Sequence, residues 1–240
     1  MNKLLDILAF AAHPDDVELS CAGTLMKHID AGMSVGIVDL TQGELGSRGT
    51  KDTRYSEAAE ASRIMDVSER VNLKMKDGFF EINEKNKRLI IEQIRRFRPK
   101  IVLVNAVSDR HPDHGRGSQL VSEACFLAGL RKVETSFNGQ NQEEYRPEVV
   151  YHYIQDYHIQ PDFVLDVTDY ADRKIEAIKA YKTQFHDPNS KEPQTPISGE
   201  DFFDFIRSRM RDFGRTAGVK YAEGFTVERY PKVDLLTDLK

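Results

Sequence analysis

Short apolar runs and longer segments with a helical period alternate along the first half of the chain. The apolar runs predict four β-strands, at residues 5–11, 34–40, 71–75 and 101–105. The helical segments follow them, at residues 16–31, 53–65, 84–98 and 113–130. Because alternating strands and helices form parallel sheets with right-handed crossovers, we predict an α/β fold. The expected architecture is a Rossmann-like, doubly wound and mostly parallel sheet with helices on both faces.

The pattern is looser beyond residue 130. A polar stretch at residues 134–147 predicts a surface excursion. The other predicted elements are strands at residues 149–154 and 162–167, helices at 168–185 and 201–213, and a loop rich in Pro and Ser at 186–200. No internal repeat or low-complexity tract marks a boundary, so residues 1–240 are predicted to form one domain.

Two similar polar motifs follow the first and fourth predicted strands. Residues 13–16 read HPDD and residues 111–114 read HPDH, each with Pro at a predicted first helical position. A doubly wound sheet usually has the strand order 3-2-1-4, which places its first and fourth strands side by side, and ligands bind where the order reverses. We therefore expect both motifs to line one crevice.

These two motifs contain the residue types that bind a catalytic metal ion. Residues three apart on the first turn of a helix can converge on one point. This spacing selects His13, Asp16 and His114 as three ligands and leaves a fourth position for water. Zinc in such a site lowers the pKa of its water towards ~7. Two histidines and one carboxylate would also accept iron(II), cobalt or manganese.

Two further residues of the motifs are predicted to be catalytic. Adjacent carboxylates cannot both face one ion from a helical turn, so Asp15 is predicted to be the general base that accepts the proton of the water. His111 is predicted to face the substrate carbonyl, to stabilise the oxyanion and to help protonate the leaving amine. The structural alternative is that each motif only caps its helix. Two such motifs on neighbouring strands favour the metal site.

Four other residues are candidates for substrate binding: Arg54, Glu44, Arg110 and Asp77. Arg54 follows a glycine-rich loop and could hold a carboxylate or sugar hydroxyls, or be a solvated charge at a helix start. Arg110 could pair with an anionic substrate group or form an ordinary salt bridge. Glu44 lies on the loop after the second strand, and Asp77 precedes a glycine, where a simple turn residue is also expected.

Composition narrows the class of protein. Hydrophobic residues make up 40% of the chain, enough for a large core, and the formal net charge is −5 with no basic stripe. Nucleic acid and anionic membrane are therefore not expected as partners. The two cysteines are predicted to be reduced packing residues, which favours a cytoplasmic location. No apolar segment approaches the ~20 residues that span a bilayer.

Three sequence segments resemble the LmbE/PIG-L family of zinc-dependent N-acetylglucosaminyl deacetylases: AAHPDDVELSCAGTL, DLTQGELGSRGT and DRHPDHGRGSQLV. The resemblance extends over nearly the whole chain and implies a Rossmann-like fold. In this family's pattern, His13, Asp16 and His114 match the zinc ligands and Asp15 matches the general base. His111 matches the histidine that stabilises the tetrahedral intermediate.

The resemblance also implies a reaction and a substrate class. The chain looks most like the bacillithiol-pathway branch, which removes acetate from N-acetylglucosaminyl L-malate, a small N-acetyl sugar conjugate. Arg54, Glu44 and Asp77 fall where relatives contact the substrate. Members of this branch are often hexameric, which implies a homo-oligomer.

Two other classes of function remain as alternatives. The fold class also contains nucleotide-binding enzymes such as dehydrogenases and glycosyltransferases. The first strand, however, is followed by AAHPDD where a dinucleotide site would need GxGxxG. A non-catalytic sugar-binding or scaffold protein is expected to lack a ligand or the base, whereas all five polar positions are present here.

Overall fold

The computed structural model describes residues 4–185 and 191–238. Its strands are β1 (Ile7–Ala11), β2 (Val35–Thr41), β3 (Glu69–Met75), β4 (Ile101–Val104), β5 (Ser136–Phe137), β6 (Gln140–Asn141), β7 (Val149–Tyr153), β8 (Phe163–Asp166) and β9 (Ala222–Val227). Its α-helices are α1 (Asp16–Asp30), α2 (Lys51–Met65), α3 (Glu84–Phe97), α4 (Pro112–Ala128), α5 (Ala171–Lys179) and α6 (Phe202–Thr216).

Seven strands form one sheet in the order β3-β2-β1-β4-β7-β9-β8. The first four lie in the predicted order 3-2-1-4, and every pair from β3 to β7 is parallel. β9 runs antiparallel to both of its neighbours, β7 and β8. The prediction of a mostly parallel α/β sheet is confirmed, and β1 and β4 are adjacent at the point where the strand order reverses.

The helices cover both faces of the sheet, as predicted. Side chains of a strand alternate between faces, and in β1 the buried Leu8 and Phe10 pack in one apolar cluster while Ile7 and Ala9 pack in another. The first cluster includes residues of α3 and α4, and the second includes residues of α1. Each face is therefore a separate hydrophobic layer.

Helix α3 shows how the local sequence sets an element. Its buried face repeats at helical spacing with Ile90, Ile94 and Phe97. Asn83 caps its first turn by accepting a hydrogen bond from a backbone N–H, and Arg98 ends it in the left-handed conformation. Apolar periodicity and end signals agree here, so the prediction from sequence holds.

The sequence prediction was wrong at two places in the second half. The helix predicted at residues 168–185 is a 3-10 turn, Thr168–Tyr170, followed by α5, which ends at Lys179. Beyond this helix, Tyr181 and Gln184 turn inward to make tertiary hydrogen bonds that outweigh local helix propensity. Strand β9 was not predicted, because a charged residue and a glycine interrupt its apolar pattern.

The polar stretch at residues 134–147 is a surface segment that contains the short β5–β6 hairpin. Of the predicted loop at 186–200, residues 186–190 lie outside the described part of the chain. Within residues 4–185 and 191–238, no helix has the length and apolar content needed to cross a membrane.

Helix α1 bends at Cys21, whose φ of −135° and ψ of 18° are not helical. The bend frees the backbone N–H groups of Gly23 and Thr24, and the carboxylate of Glu223 accepts both. Glu223 lies on β9, so the last strand in the sequence is hydrogen-bonded to α1, the helix that follows β1.

Candidate metal centre

Both polar motifs lie beyond the carboxyl-terminal ends of the adjacent strands β1 and β4. The first follows β1 directly, and the second begins α4 after the loop that follows β4. They line a cavity of about 320 Å³ that is also lined by residues 195–197 and by residues of α6. The expectation that the two motifs share one crevice is met by this arrangement.

The first motif has an unusual backbone. Asp15 precedes α1 with φ 119° and ψ −22°, and its side chain does not cap the helix. A residue other than glycine rarely adopts a positive φ, and the strain costs of the order of 1–3 kcal/mol. The carboxylate of Asp15 lines the cavity. Asp16, the first residue of α1, accepts a hydrogen bond from the backbone N–H of His13 at 2.9 Å.

The second motif begins α4 with Pro112 at the first turn and His111 as the N-cap. Nδ1 of His111 accepts a hydrogen bond from the backbone N–H of Asp113 at 3.2 Å. The neutral ring therefore carries its proton on Nε2, which is a donor. Burial and the adjacent positive charges of His13 and His114 lower the pKa of His111 below its usual value, so the neutral form is favoured.

The predicted ligands contact one another through Asp16. Oδ1 of Asp16 lies 3.1 Å from Nε2 of His114, and Oδ2 lies 3.7 Å from Nδ1 of His13. Neighbouring ligand atoms of a tetrahedral zinc ion, with bonds of about 2.0–2.1 Å, lie about 3.3 Å apart. The observed separations are close to this value and involve one oxygen of Asp16 for each histidine.

Other donor sets overlap with this one. Among the described residues, ring nitrogens of His13, His111 and His114 lie within 4.8 Å of one another, as do ligand atoms of His13, Asp77 and Asp113. Nε2 of His13 is 3.0 Å from Asp77 and 3.4 Å from Asp113. His13 belongs to every set. If its Nδ1 faces the ion, Asp77 accepts the proton of Nε2 and orients the ring.

Buried carboxylates outnumber the imidazoles in this cluster, and Arg54 and Arg116 pair with two of them, Asp15 and Asp113. Five carboxylates with almost no exposed surface surround the three imidazoles: Asp15, Asp16, Asp77, Asp109 and Asp113. Carboxylates are costly to bury without cationic partners. A divalent cation would supply that charge, and the nitrogen and oxygen donors are those that zinc accepts. The residues present therefore fit a divalent metal ion.

The same carboxylates hold protons on two imidazoles in the metal-free protein. Burial disfavours the charged ring of His13, but Asp113 and Asp77 outweigh burial and raise its pKa to about 10. Burial is also outweighed for His114, where Asp16 helps to raise the pKa to about 9. Burial would raise the pKa of Asp16, yet the two imidazoles hold it well below its usual value.

Asp15 differs from the other carboxylates. Burial raises its pKa to about 7, although the guanidinium of Arg54, 3.8 Å away, opposes the shift. Arg54 is itself buried in the cavity wall, donating to the carbonyl of Pro14 at 3.3 Å and to Gln184. Gly43 approaches the guanidinium so closely that a Cβ there would overlap with Nη1.

The other three residues that were predicted to bind substrate have different surroundings in the structure. Asp77 lines the cavity, but both of its carboxylate oxygens are occupied, by His13 and by the backbone N–H of Leu45. Glu44 is not among the cavity-lining residues and instead accepts the backbone N–H of Asp77 at 2.9 Å. Arg110 lies at the cavity and pairs with Asp156 at 2.8 Å.

Four polar residues that contact the motifs or Arg54 were not singled out from the sequence: Asn105, Asp109, Gln155 and Gln184. Asn105 directly follows β4, and Asp109 is part of the DRHPDH segment, so the sequence positions of both gave a weak indication that they lie at the site. Gln155 and Gln184 lie far along the chain and carry none.

Comparison with known proteins agrees with this site. Residues 8–125 match the family model described as PIG-L, GlcNAc-PI de-N-acetylase. The solved structure of the conserved protein TT1542 from Thermus thermophilus has a TM-score of 0.85 and 35% identity, covering 96% of this chain and 98% of that one.

Two curated relatives are named for deacetylation. Diacetylchitobiose deacetylase of Thermococcus kodakarensis is 25% identical over 93% of this chain and 83% of its own length. A Bacillus anthracis protein named probable N-acetyl-alpha-D-glucosaminyl L-malate deacetylase 2 is 24% identical over 77% of this chain and 84% of its own length. With the two motifs converging on one cavity, these similarities show that the chain belongs to the PIG-L family of deacetylases.

Proposed function

We propose that this protein is a zinc-dependent hydrolase that removes acetate from an N-acetylglucosamine conjugate. The observation that carries the proposal is the convergence of three imidazoles and four buried carboxylates, those of Asp15, Asp16, Asp77 and Asp109, on one cavity beside β1 and β4. His13, Asp16 and His114 would hold the metal. When bound, the ion would supply a Lewis acid that polarises the acetamide carbonyl and makes water more acidic.

Asp15 is proposed as the general base. Its carboxylate faces the cavity, and a pKa of about 7 suits proton transfer at neutral pH. It would accept a proton from water as the water oxygen bonds to the acetamide carbon. The C–N bond then breaks, and the proton passes to the leaving amine, giving acetate and the glucosamine conjugate with a free amine.

His111 is proposed to stabilise the oxyanion. Its Nδ1 is occupied by a backbone N–H, which leaves the Nε2 proton free to donate into the cavity that the ring lines. Loss of one such donor typically costs about 10²–10³ in kcat. Arg54 is proposed to bind the substrate, and its guanidinium also stabilises the charged form of the Asp15 carboxylate.

The group attached to the sugar is proposed to be L-malate, as in bacillithiol biosynthesis. The family resemblance and the Bacillus anthracis relative support this choice, and Arg110 at the cavity is a candidate partner for a malate carboxylate. The alternative is that the attached group is a second sugar. The similarity to diacetylchitobiose deacetylase supports this alternative. A cytoplasmic homo-oligomer, with a hexamer as the expected assembly, completes the proposal.

The test combines metal analysis of the purified protein with acetate release from N-acetylglucosaminyl L-malate, diacetylchitobiose and an N-acetylglucosaminyl inositol. Bound zinc with deacetylation of one conjugate supports the proposal, and the preferred conjugate identifies the attached group. A protein that binds NAD or a nucleotide sugar tightly and holds no metal would instead be a nucleotide-binding enzyme. Light scattering of the same sample gives the oligomeric state.

A further inference from the structure

Asp109 is a buried carboxylate outside the proposed ligand set and outside the proposed catalytic pair. Its side chain has no exposed surface. One oxygen, Oδ2, lies 2.5 Å from Nδ1 of His114. The other, Oδ1, accepts the backbone N–H groups of Asp156 and Tyr157 at 3.1 and 2.7 Å. These contacts of the carboxylate join His114 to the segment that follows β7.

These contacts fix which ring nitrogen of His114 can face a metal. A carboxylate whose two oxygens are both hydrogen-bond acceptors requires a proton on Nδ1 of the ring. Nε2 is then the nitrogen left for coordination, and it is the atom 3.1 Å from Asp16. Histidine ligands in metalloproteins commonly donate their second N–H to a carboxylate, which sets both the tautomer and the ring orientation.

The same segment also fixes the orientation of Asp16. The amide of Gln155 donates to Oδ1 of Asp16 at 3.2 Å, and the amide of Asn105 donates to Oδ2 at 2.9 Å. Asn105 in turn accepts the backbone N–H of Ala12 at 2.9 Å, which locks it to the end of β1. Both amides are almost completely buried. Their hydrogen bonds prevent rotation of the carboxylate.

We propose that Asp109 is a positioning residue that directs Nε2 of His114 into the metal centre, anchored by the backbone of residues 156–157. Gln155, from the same segment, is the matching positioning residue for Asp16. The inference rests on the proposed function only in placing a metal between Asp16 and His114. It gives residues 155–157, about 40 positions beyond the second motif, a defined part in assembling the centre.

The discriminating variant is Asp109→Asn. Its side-chain oxygen can still accept both backbone N–H groups, so the loop keeps its anchor. Its amide now donates towards Nδ1 of His114, which favours the tautomer with the proton on Nε2 and blocks coordination there. We expect the affinity of the metal-free protein for zinc to fall about 10–100-fold. Asp156→Asn removes one charge from the same loop without touching His114, and its zinc affinity should stay within about threefold of wild type.

Zinc affinity is measured by competition with a chelating indicator, beginning from metal-free protein. A second readout is the downfield proton resonance of zinc-loaded, ¹⁵N-labelled protein, which reports the Nδ1–H of His114 held by Asp109. Wild type and Asp156→Asn should show it, and Asp109→Asn should not. Gln155→Leu should keep this resonance while weakening zinc binding about tenfold.

Three outcomes bear on the inference in different ways. If Asp109→Asn binds zinc as tightly as wild type, or keeps the downfield resonance, the positioning role is wrong while the metal site stands. If wild type binds no zinc at all, both the proposed function and this inference fall. Weakened binding in Asp109→Asn together with a thermal unfolding midpoint close to that of wild type supports the inference, because a merely structural residue would change both.

Discussion

The ammonium of Lys174 lies 2.6 Å from the carboxylate of Glu223, and each side chain keeps only about 1% of its surface exposed. The same carboxylate accepts the backbone N–H groups of Gly23 and Thr24 and the hydroxyl of Thr24. One buried ion pair thus connects α5, β9 and the bend of α1. Its hydrogen bonds satisfy the carboxylate, which is the condition under which burial of a charged pair is tolerated.

Replacing Lys174 by Met should lower the free energy of unfolding by about 3–5 kcal/mol, because Glu223 would be left buried without a cation. Urea unfolding followed by circular dichroism gives the value. Lys182→Met, an exposed change close by in sequence, is the control and should stay within about 0.5 kcal/mol of wild type. Equal stability of the two variants would mean that the pair is not coupled to the fold.

Replacing Asp15 by Asn should abolish most deacetylation and leave the metal in place. The amide is similar in size but cannot accept a proton, so kcat should fall about 10²–10⁴-fold. Zinc content and steady-state rates are measured on the same preparation. Asp52→Asn, on the exposed first turn of α2, is the control and should retain full activity. Undiminished activity of Asp15→Asn would remove this residue from the mechanism.

Replacing Gly43 by Ala should impair substrate turnover more than folding. Gly43 has φ +63°, and a Cβ there would overlap with Nη1 of Arg54. The guanidinium beside Asp15 must therefore shift, and kcat/KM should fall at least about tenfold if Arg54 contacts substrate. Gly32→Ala is a matched control, with φ +87° and no atom within 4 Å of the added carbon. It should show the backbone cost of about 1 kcal/mol without the loss of activity.

The metal-free protein should lose stability as the pH rises through 9 to 10. The pKa values of His13 and His114 are raised from 6.5 to about 10 and about 9. A raised pKa means that the folded state binds the proton more tightly than the unfolded state. The stabilisation is complete below pH 6.5 and disappears as the pH passes the folded values. Thermal unfolding from about pH 6 to about pH 10 in the presence of a chelator measures it.

Added zinc should reduce this decline, because the ion replaces the protons on both rings and binds more tightly as pH rises. The comparison is between the same pH series with and without zinc. If the two series decline in parallel, the ion does not bind at His13 and His114.

The parts of the fold and of the site that could be predicted are those that depend on residues close together in the sequence. β1, β4 and the helices that follow them depend on local apolar periodicity, so the order of the first four strands and the meeting of the two motifs were predictable. β9 was not, because Glu223 becomes a buried strand residue only through Lys174, 49 positions away. The same reason hid Gln155, which contacts Asp16 from 139 positions away.

The backbone of Asp15 has a consequence for the balance between folding and catalysis. Both Asp15→Ala and Asp15→Gly remove the carboxylate, but only glycine relieves the conformation with φ 119°. The glycine variant should therefore unfold at a higher temperature than the alanine variant, by an amount equivalent to roughly 1–3 kcal/mol. Such a difference would mean that substitution of Asp15, the proposed general base, can stabilise the fold while it removes the activity. Selection for a more robust protein would then act directly against activity at that position.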